Sequence, residues 1–161
     1  RSRNMKPSKK GGVYYGNEVW FSPAYQRLTP KARDLLHCLM SELRYGWKKV
    51  GNKKGKVFHN NGQVSCTEVE FRKLVGCVSR TYIESRNLLI KVGFIKQTYR
   101  GGMGPGDCAT YKILAMTNLP TNQERWRDYP EKNWSNDIPR PKEQLVGVET
   151  QWQKGECGRK S

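Results

Sequence analysis

The chain is poor in acid, in histidine and in long apolar runs, and each shortage narrows what it does. Its 161 residues carry 14 Asp+Glu against 30 Lys+Arg, with 2 His. No run of 18 apolar residues occurs, so no segment reads as a membrane-spanning helix. The first residues lack the apolar stretch of a secretory signal, and a soluble, cytoplasmic chain with no membrane partner is expected. Cys38, Cys66, Cys77, Cys108 and Cys157 contain no Cys-x-x-Cys pair, and His37 and His59 stand at no ligand spacing to one. An odd count closes no disulfide framework, so buried, reduced thiols and no metal are expected.

Catalytic signatures are missing as well. There is no Gly-x-x-x-x-Gly-Lys-Ser/Thr loop, no Gly-x-Ser-x-Gly elbow and no His-Glu-x-x-His. Glu68 and Glu70 bracket a helix start, where the dipole and a cap already account for carboxylates. Neither an enzyme nor a cofactor is expected.

Cations are abundant, and unevenly placed. Residues 1–16 hold five Lys+Arg and no acid, residues 17–118 hold 17 against 7, and residues 119–161 hold 8 against 7. Lys48, Lys49, Lys53, Lys54 and Lys56 fall close together without a carboxylate among them, and read as a basic loop. Such a cluster releases counterions on meeting a polyphosphate, whether DNA or RNA.

Local signals outline three helices. Thr29-Pro30 is an N-cap with proline at the first helical position, followed by Leu35, Leu36, Leu39, Met40 and Leu43 at helical spacing, which predicts a helix from about Pro30 to Tyr45. Thr67 and Glu70 form a capping box for a helix from Glu68 to Val75. Gly76 breaks the chain, and Ser79 is expected to cap a third helix from Arg80 to Val92, with Gly93 ending it. Val78 and Ile83 stand where a hydrophobic staple would fix its entry angle. On a helical wheel Tyr82, Ile83, Leu89 and Ile90 point inward, Arg80, Thr81, Glu84, Asn87 and Lys91 outward, with Leu88 and Val92 toward the outer side. Arg86 falls near the apolar stripe, its stem expected against the core and its head at an edge.

Two β-compatible runs follow, Phe94–Tyr99 and Tyr111–Met116. They flank a Gly- and Pro-rich loop, Arg100–Asp107, which reads as a floppy hairpin.

The order helix, NNGQVSCTEVEFRKLVGCVSRTYIESRNLLIKVGFIKQT, Gly-rich loop, ATYKI resembles the winged helix-turn-helix proteins of prokaryotes, phages and plasmids, among them regulators and replication-initiator-like proteins. The likeness covers about Phe21 to Thr117. It implies an α+β fold with a three-helix core and a β-hairpin wing, at residues 17–118, between a basic N-terminal tail (1–16) and an irregular extension (119–161). It also implies sequence-selective binding of double-stranded DNA. The groove-reading set would be Thr67, Ser79, Arg80, Thr81, Tyr82, Glu84, Ser85, Asn87 and Lys91, with Lys96 and Arg100 at the base of the wing. Lys48, Lys49, Lys53, Lys54 and Lys56 would add contacts blind to sequence. An RNA-binding module and a protein-interaction domain are the alternatives, and a homodimer is left open because no seam is evident.

The extension holds four prolines between Leu119 and Lys142, so it is expected to be mostly irregular. Trp126, Tyr129 and Trp134 are large rings to leave in water, and packing back onto the domain is favoured over a partner surface. From Gln144 onward a loose tail is expected.

Overall fold

The computed structural model describes residues 12–117 and 121–141. The basic stretch 1–11 and the tail from residue 142 lie outside the described residues, as do the expectations that fall on them. The fold is α+β, with two short helical turns ahead of the helix that organises the core. These are α1 (Asn17–Trp20), α2 (Pro23–Gln26) and α3 (Pro30–Ser41). The hairpin β1 (Tyr45–Val50) and β2 (Lys53–Phe58) comes next, then α4 (Glu68–Val75) and α5 (Ser79–Val92). A second hairpin, β3 (Ile95–Tyr99) and β4 (Thr110–Ile113), precedes three 3-10 turns at Thr121–Gln123, Arg125–Asp128 and Ser135–Asp137.

Capping chemistry fixes the helix starts. Thr29 Oγ1 accepts the Ala32 N–H at 3.2 Å and opens α3. The helix stops at Ser41, short of the expected Tyr45, because the Asn60 carboxamide captures the chain beyond it. Its Oδ1 accepts the Arg44 N–H at 2.7 Å and its Nδ2 donates to the Glu42 carbonyl at 2.7 Å. The expected capping box is present at α4: Thr67 Oγ1 accepts from the Glu70 N–H, and Glu70 Oε2 from the Thr67 N–H. Gly76 then takes φ 62 and ends α4.

The start of α5 differs from expectation. Ser79 is the first helical residue, Val78 occupies the cap position, and no side chain caps the helix. Backbone carries the entry instead, as the Val78 carbonyl accepts the Thr81 N–H at 3.1 Å. Val78 and Ile83 are both exposed, so no staple forms. The buried face of α5 is broader than the wheel suggests. Val92 is fully buried and Leu88 is partly buried against the core, because α5 packs on α3 along one side and meets the chain around Ser135–Asp137 along another.

One core joins these elements. Leu35, Leu36 and Leu39 of α3 meet Phe71 of α4, Leu89 and Ile90 of α5, and Phe94, Ile95, Tyr111 and Ile113 of the second hairpin. Each large apolar side chain fully buried in this way contributes about 1.5–3 kcal/mol. Trp126 closes the cluster: its ring lies 6.3 Å from that of Phe94, and its Nε1 donates to the Met116 carbonyl. The extension therefore packs back, as expected for Trp126. Gly93 makes this possible. At φ 90 a side chain there would be strained, and a Cβ would stand 2.6 Å from the Arg125 Cβ.

The lysine-rich stretch is a strand pair, contrary to the expected loop. Tyr45 to Val50 pair antiparallel with Phe58 to Lys53 in unbroken register. The second hairpin pairs Ile95 with Ile113 and carries a bulge between Gln97 and Tyr99. A single bridge, Val64 to Tyr111, adds the segment ahead of α4 to its outer edge.

Candidate nucleic-acid interface

The solvent side of α5 is set by what the core has taken. Tyr82, Ser85 and Leu89 recur at helical spacing and are buried, which turns Arg80, Glu84, Asn87 and Lys91 to the opposite side. Two expected contact residues are thereby corrected. The Tyr82 hydroxyl donates to the Cys66 carbonyl at 2.7 Å, and Ser85 is 3% exposed, so neither side chain faces a ligand.

What remains outward is partly pre-paired. Arg80 Nε donates to Glu84 Oε1 at 2.8 Å, both side chains standing well out in solvent. An exposed pair of this spacing is worth only about 0.3–0.5 kcal/mol, so a stronger anion displaces the carboxylate readily. Asn87 is half-buried and its Oδ1 accepts from both Nε and Nη2 of Arg86. Arg86 is itself half-buried, in keeping with a stem against the core. Thr81 and Ser79 are half-buried at the first turn, while the Thr67 hydroxyl is occupied by its capping box. Lys91 is half-buried, and its carbonyl accepts the Trp134 N–H at 3.1 Å.

Beside this strip the β3–β4 loop is pinned. Asp107 Oδ2 accepts from the Tyr99 hydroxyl and from the Met103 N–H, each at 2.8 Å, so the loop expected to be floppy has an internal clasp. The bond to Asp107 holds the Tyr99 phenol above its usual pKa. Lys96 is exposed on β3 opposite Lys112. Arg100 is exposed, and its Nη2 donates to the Arg140 carbonyl at 3.0 Å.

That last bond brings in residues that pattern reading missed. A groove of about 370 Å³ runs between the Ile83–Asn87 edge of α5 and the base of the β3–β4 loop, with Ile138–Pro141 as its far wall. Arg86, Arg100 and Arg140 line it together with Asn87 and Gln97. Residues 138–141 are an irregular, proline-containing stretch, so no periodicity marks where they lie. Lys48, Lys49, Lys53 and Lys54 stand exposed elsewhere, on the β1–β2 hairpin, with Lys56 on β2.

Among the described residues, no three His, Cys, Asp or Glu side chains gather where one metal ion would be held. No helix among them is long and apolar enough to cross a membrane. Cys38, Cys66, Cys77 and Cys108 are free thiols, the first two buried. A hydrogen bond with Cys38, together with burial, pushes the Cys66 thiol far above its usual range. Comparison with family models, curated proteins and solved structures found no match.

Proposed function

We propose that this chain binds double-stranded DNA sequence-selectively, without catalysis, as a winged helix-turn-helix. In this reading α4, the Gly76 turn and α5 are the helix-turn-helix, and β3–β4 is the wing. The supporting observation is the outward strip of α5, Arg80-Glu84-Asn87, set beside a groove lined by three arginines at the base of the following hairpin. A helix enters the major groove, where base edges present distinct donor and acceptor patterns. There Arg80 would donate to guanine once released from Glu84, and Asn87 would pair with adenine once released from Arg86. Arg100, Arg140 and Lys96 would meet phosphates, which position the protein without reading sequence.

A transcriptional regulator or a replication-initiator-like protein of a prokaryote or mobile element fits this role, acting in the cytoplasm. Selection from a random duplex library tests it. An enriched site supports the reading, and a palindromic site adds a dimer. Arg80→Ala should then relax preference at one position of that site, at about 1–3 kcal/mol. Absence of duplex binding at low salt overturns the reading, and binding to structured RNA alone under those conditions replaces it with RNA recognition.

A further inference from the structure

The β1–β2 hairpin takes no part in the α5 strip, and its two faces differ. Directly opposed residues of an antiparallel pair share a face, and each strand returns to that face every second residue. The register pairs Tyr45 with Phe58, Trp47 with Lys56 and Lys49 with Lys54. All the aromatic residues of the hairpin strands therefore lie on one face, alternating with lysine. The other face carries Gly46, Lys48, Lys53, Gly55 and Val57.

The aromatic face is open. Trp47 is 70% exposed, Tyr45 58% and Phe58 38%. Tyr45 and Phe58 brace each other edge to face, with ring centres 6.2 Å apart. On the opposite face the His59 ring fills the place of the missing Gly46 side chain, where a Cβ would stand 2.2 Å from Nε2. Between Leu43 and Thr67 the chain has no Asp or Glu.

Flat exposed rings beside cations of one sign suit a ligand with both π-faces and negative charge. An acidic protein surface would meet the lysines but leave the rings unused. The charge is also entirely lysine within the two strands, point charges without the planar fork that recognises carboxylates in pairs. Tyr45 and Trp47 are two residues apart, about 7 Å along a strand, which leaves room for one base on each ring.

We propose that this face binds single-stranded nucleic acid, with bases stacked on Trp47 and Tyr45 and the backbone drawn along Lys49 and Lys54. Stacking of this kind is sequence-tolerant, since every base has a π-face. The site stands apart from the proposed duplex-reading strip and does not rest on it.

The test is equilibrium binding of the full chain to a fluorescein-labelled oligothymidylate of about 12 nucleotides, within the span one such platform covers. Trp47→Ala should weaken binding about 10-fold, as loss of one base–aromatic stack, and Trp47→Phe should restore most of it. Lys49→Glu/Lys54→Glu should weaken it further than Lys48→Glu/Lys53→Glu, an identical charge change on the opposite face. Unfolding midpoints within a few degrees of the parent are required of every variant, and the exposure of these side chains favours that. An oligouridylate arm separates RNA from DNA as the source of the strand. The proposal is overturned if Trp47→Ala leaves the affinity unchanged, or if the two lysine pairs behave alike. It is also overturned if the chain ignores both oligonucleotides but binds phosphatidylserine vesicles. Relaxed duplex preference in Arg80→Ala with oligothymidylate binding intact would show the two sites to be separate.

Discussion

Asn61 takes up both backbone groups of Ile113: its Nδ2 donates to the Ile113 carbonyl at 3.1 Å, and its Oδ1 accepts the Ile113 N–H at 2.7 Å. Ile113 faces β3 through Ile95 on its other side, so the Asn61 carboxamide extends the sheet beyond the Val64–Tyr111 bridge. Its neighbour Asn60 grips Glu42 and Arg44 in the same manner. Two adjacent side chains thus hold the end of α3, the stem of the first hairpin and the edge of the second.

Asn61→Ala leaves a strand N–H and carbonyl without their partners, and should destabilise the fold by about 1–3 kcal/mol. Asn61→Asp keeps the acceptor and loses the donor, so it should fall between Ala and the parent. Urea unfolding of the three proteins checks the order.

Gly93→Ala should be more damaging than its single methyl suggests. The residue is forced into a left-handed backbone at about 1–2 kcal/mol, and its Cβ runs into Arg125 and Trp126. The expected result is a lower unfolding midpoint with freer exchange of the Trp126 indole N–H, followed by NMR. An unchanged midpoint would show that residues 125–126 move aside at no cost.

Alkaline pH should unfold the chain through its buried and partly buried phenols. Tyr15, Tyr82 and Tyr111 are all raised above the ordinary tyrosine pKa, with burial as the leading cause in each. Arg86 opposes the shift at Tyr82 and Tyr111. Because the unfolded phenols ionise first, near pH about 10, their stabilisation is complete below that pH. It is lost progressively as pH climbs toward the folded values. Absorbance at alkaline pH should show these three ionising only together with loss of structure. Tyr82→Phe should remove one such step, while sacrificing about 1 kcal/mol from the bond to the Cys66 carbonyl.

Glu84→Gln tests the proposed reading strip. The substitution releases Arg80 and removes a like charge facing phosphate, so non-specific duplex affinity should rise several-fold while discrimination between sites falls. Competition binding with selected and scrambled duplexes measures both. A fall in affinity for every duplex would mean that Glu84 serves the partner directly.

Much of the framework was legible from local chemistry. Thr29-Pro30, the Thr67–Glu70 box, Gly76 and Gly93 each act within a few residues of where they stand, so the helix boundaries they mark are close to those observed. The misreadings arose where distant chain segments decide. Asn60 ends α3 from 16 or more residues away. Val92 and Leu88 are drawn inward because α5 is flanked on more than one side, and the arginine groove is completed by residues 138–141, which carry no pattern of their own. The lysine cluster forms a strand pair because Tyr45, Trp47 and Lys49 alternate along one strand and pair across to the other, a period-2 pattern that adjacent lysines and glycines interrupt in the sequence. Ser85 differs for a simpler reason: its small hydroxyl is polar by type, yet it recurs with Tyr82 and Leu89 on the packed side.

The clamp of Asn60 on both flanks of the first hairpin has a mechanical consequence. The hairpin leaves the core on two strands tied at their base by Asn60, so the span between its aromatic face and the proposed α5 strip is bridged by paired strands instead of a slack tether. A nucleic acid touching both would gain the high local concentration of a second, intramolecular contact only if its own geometry matched that span. A paired segment leading into an unpaired one at the right distance would be gripped, and one offset by a few nucleotides would be held by one end alone.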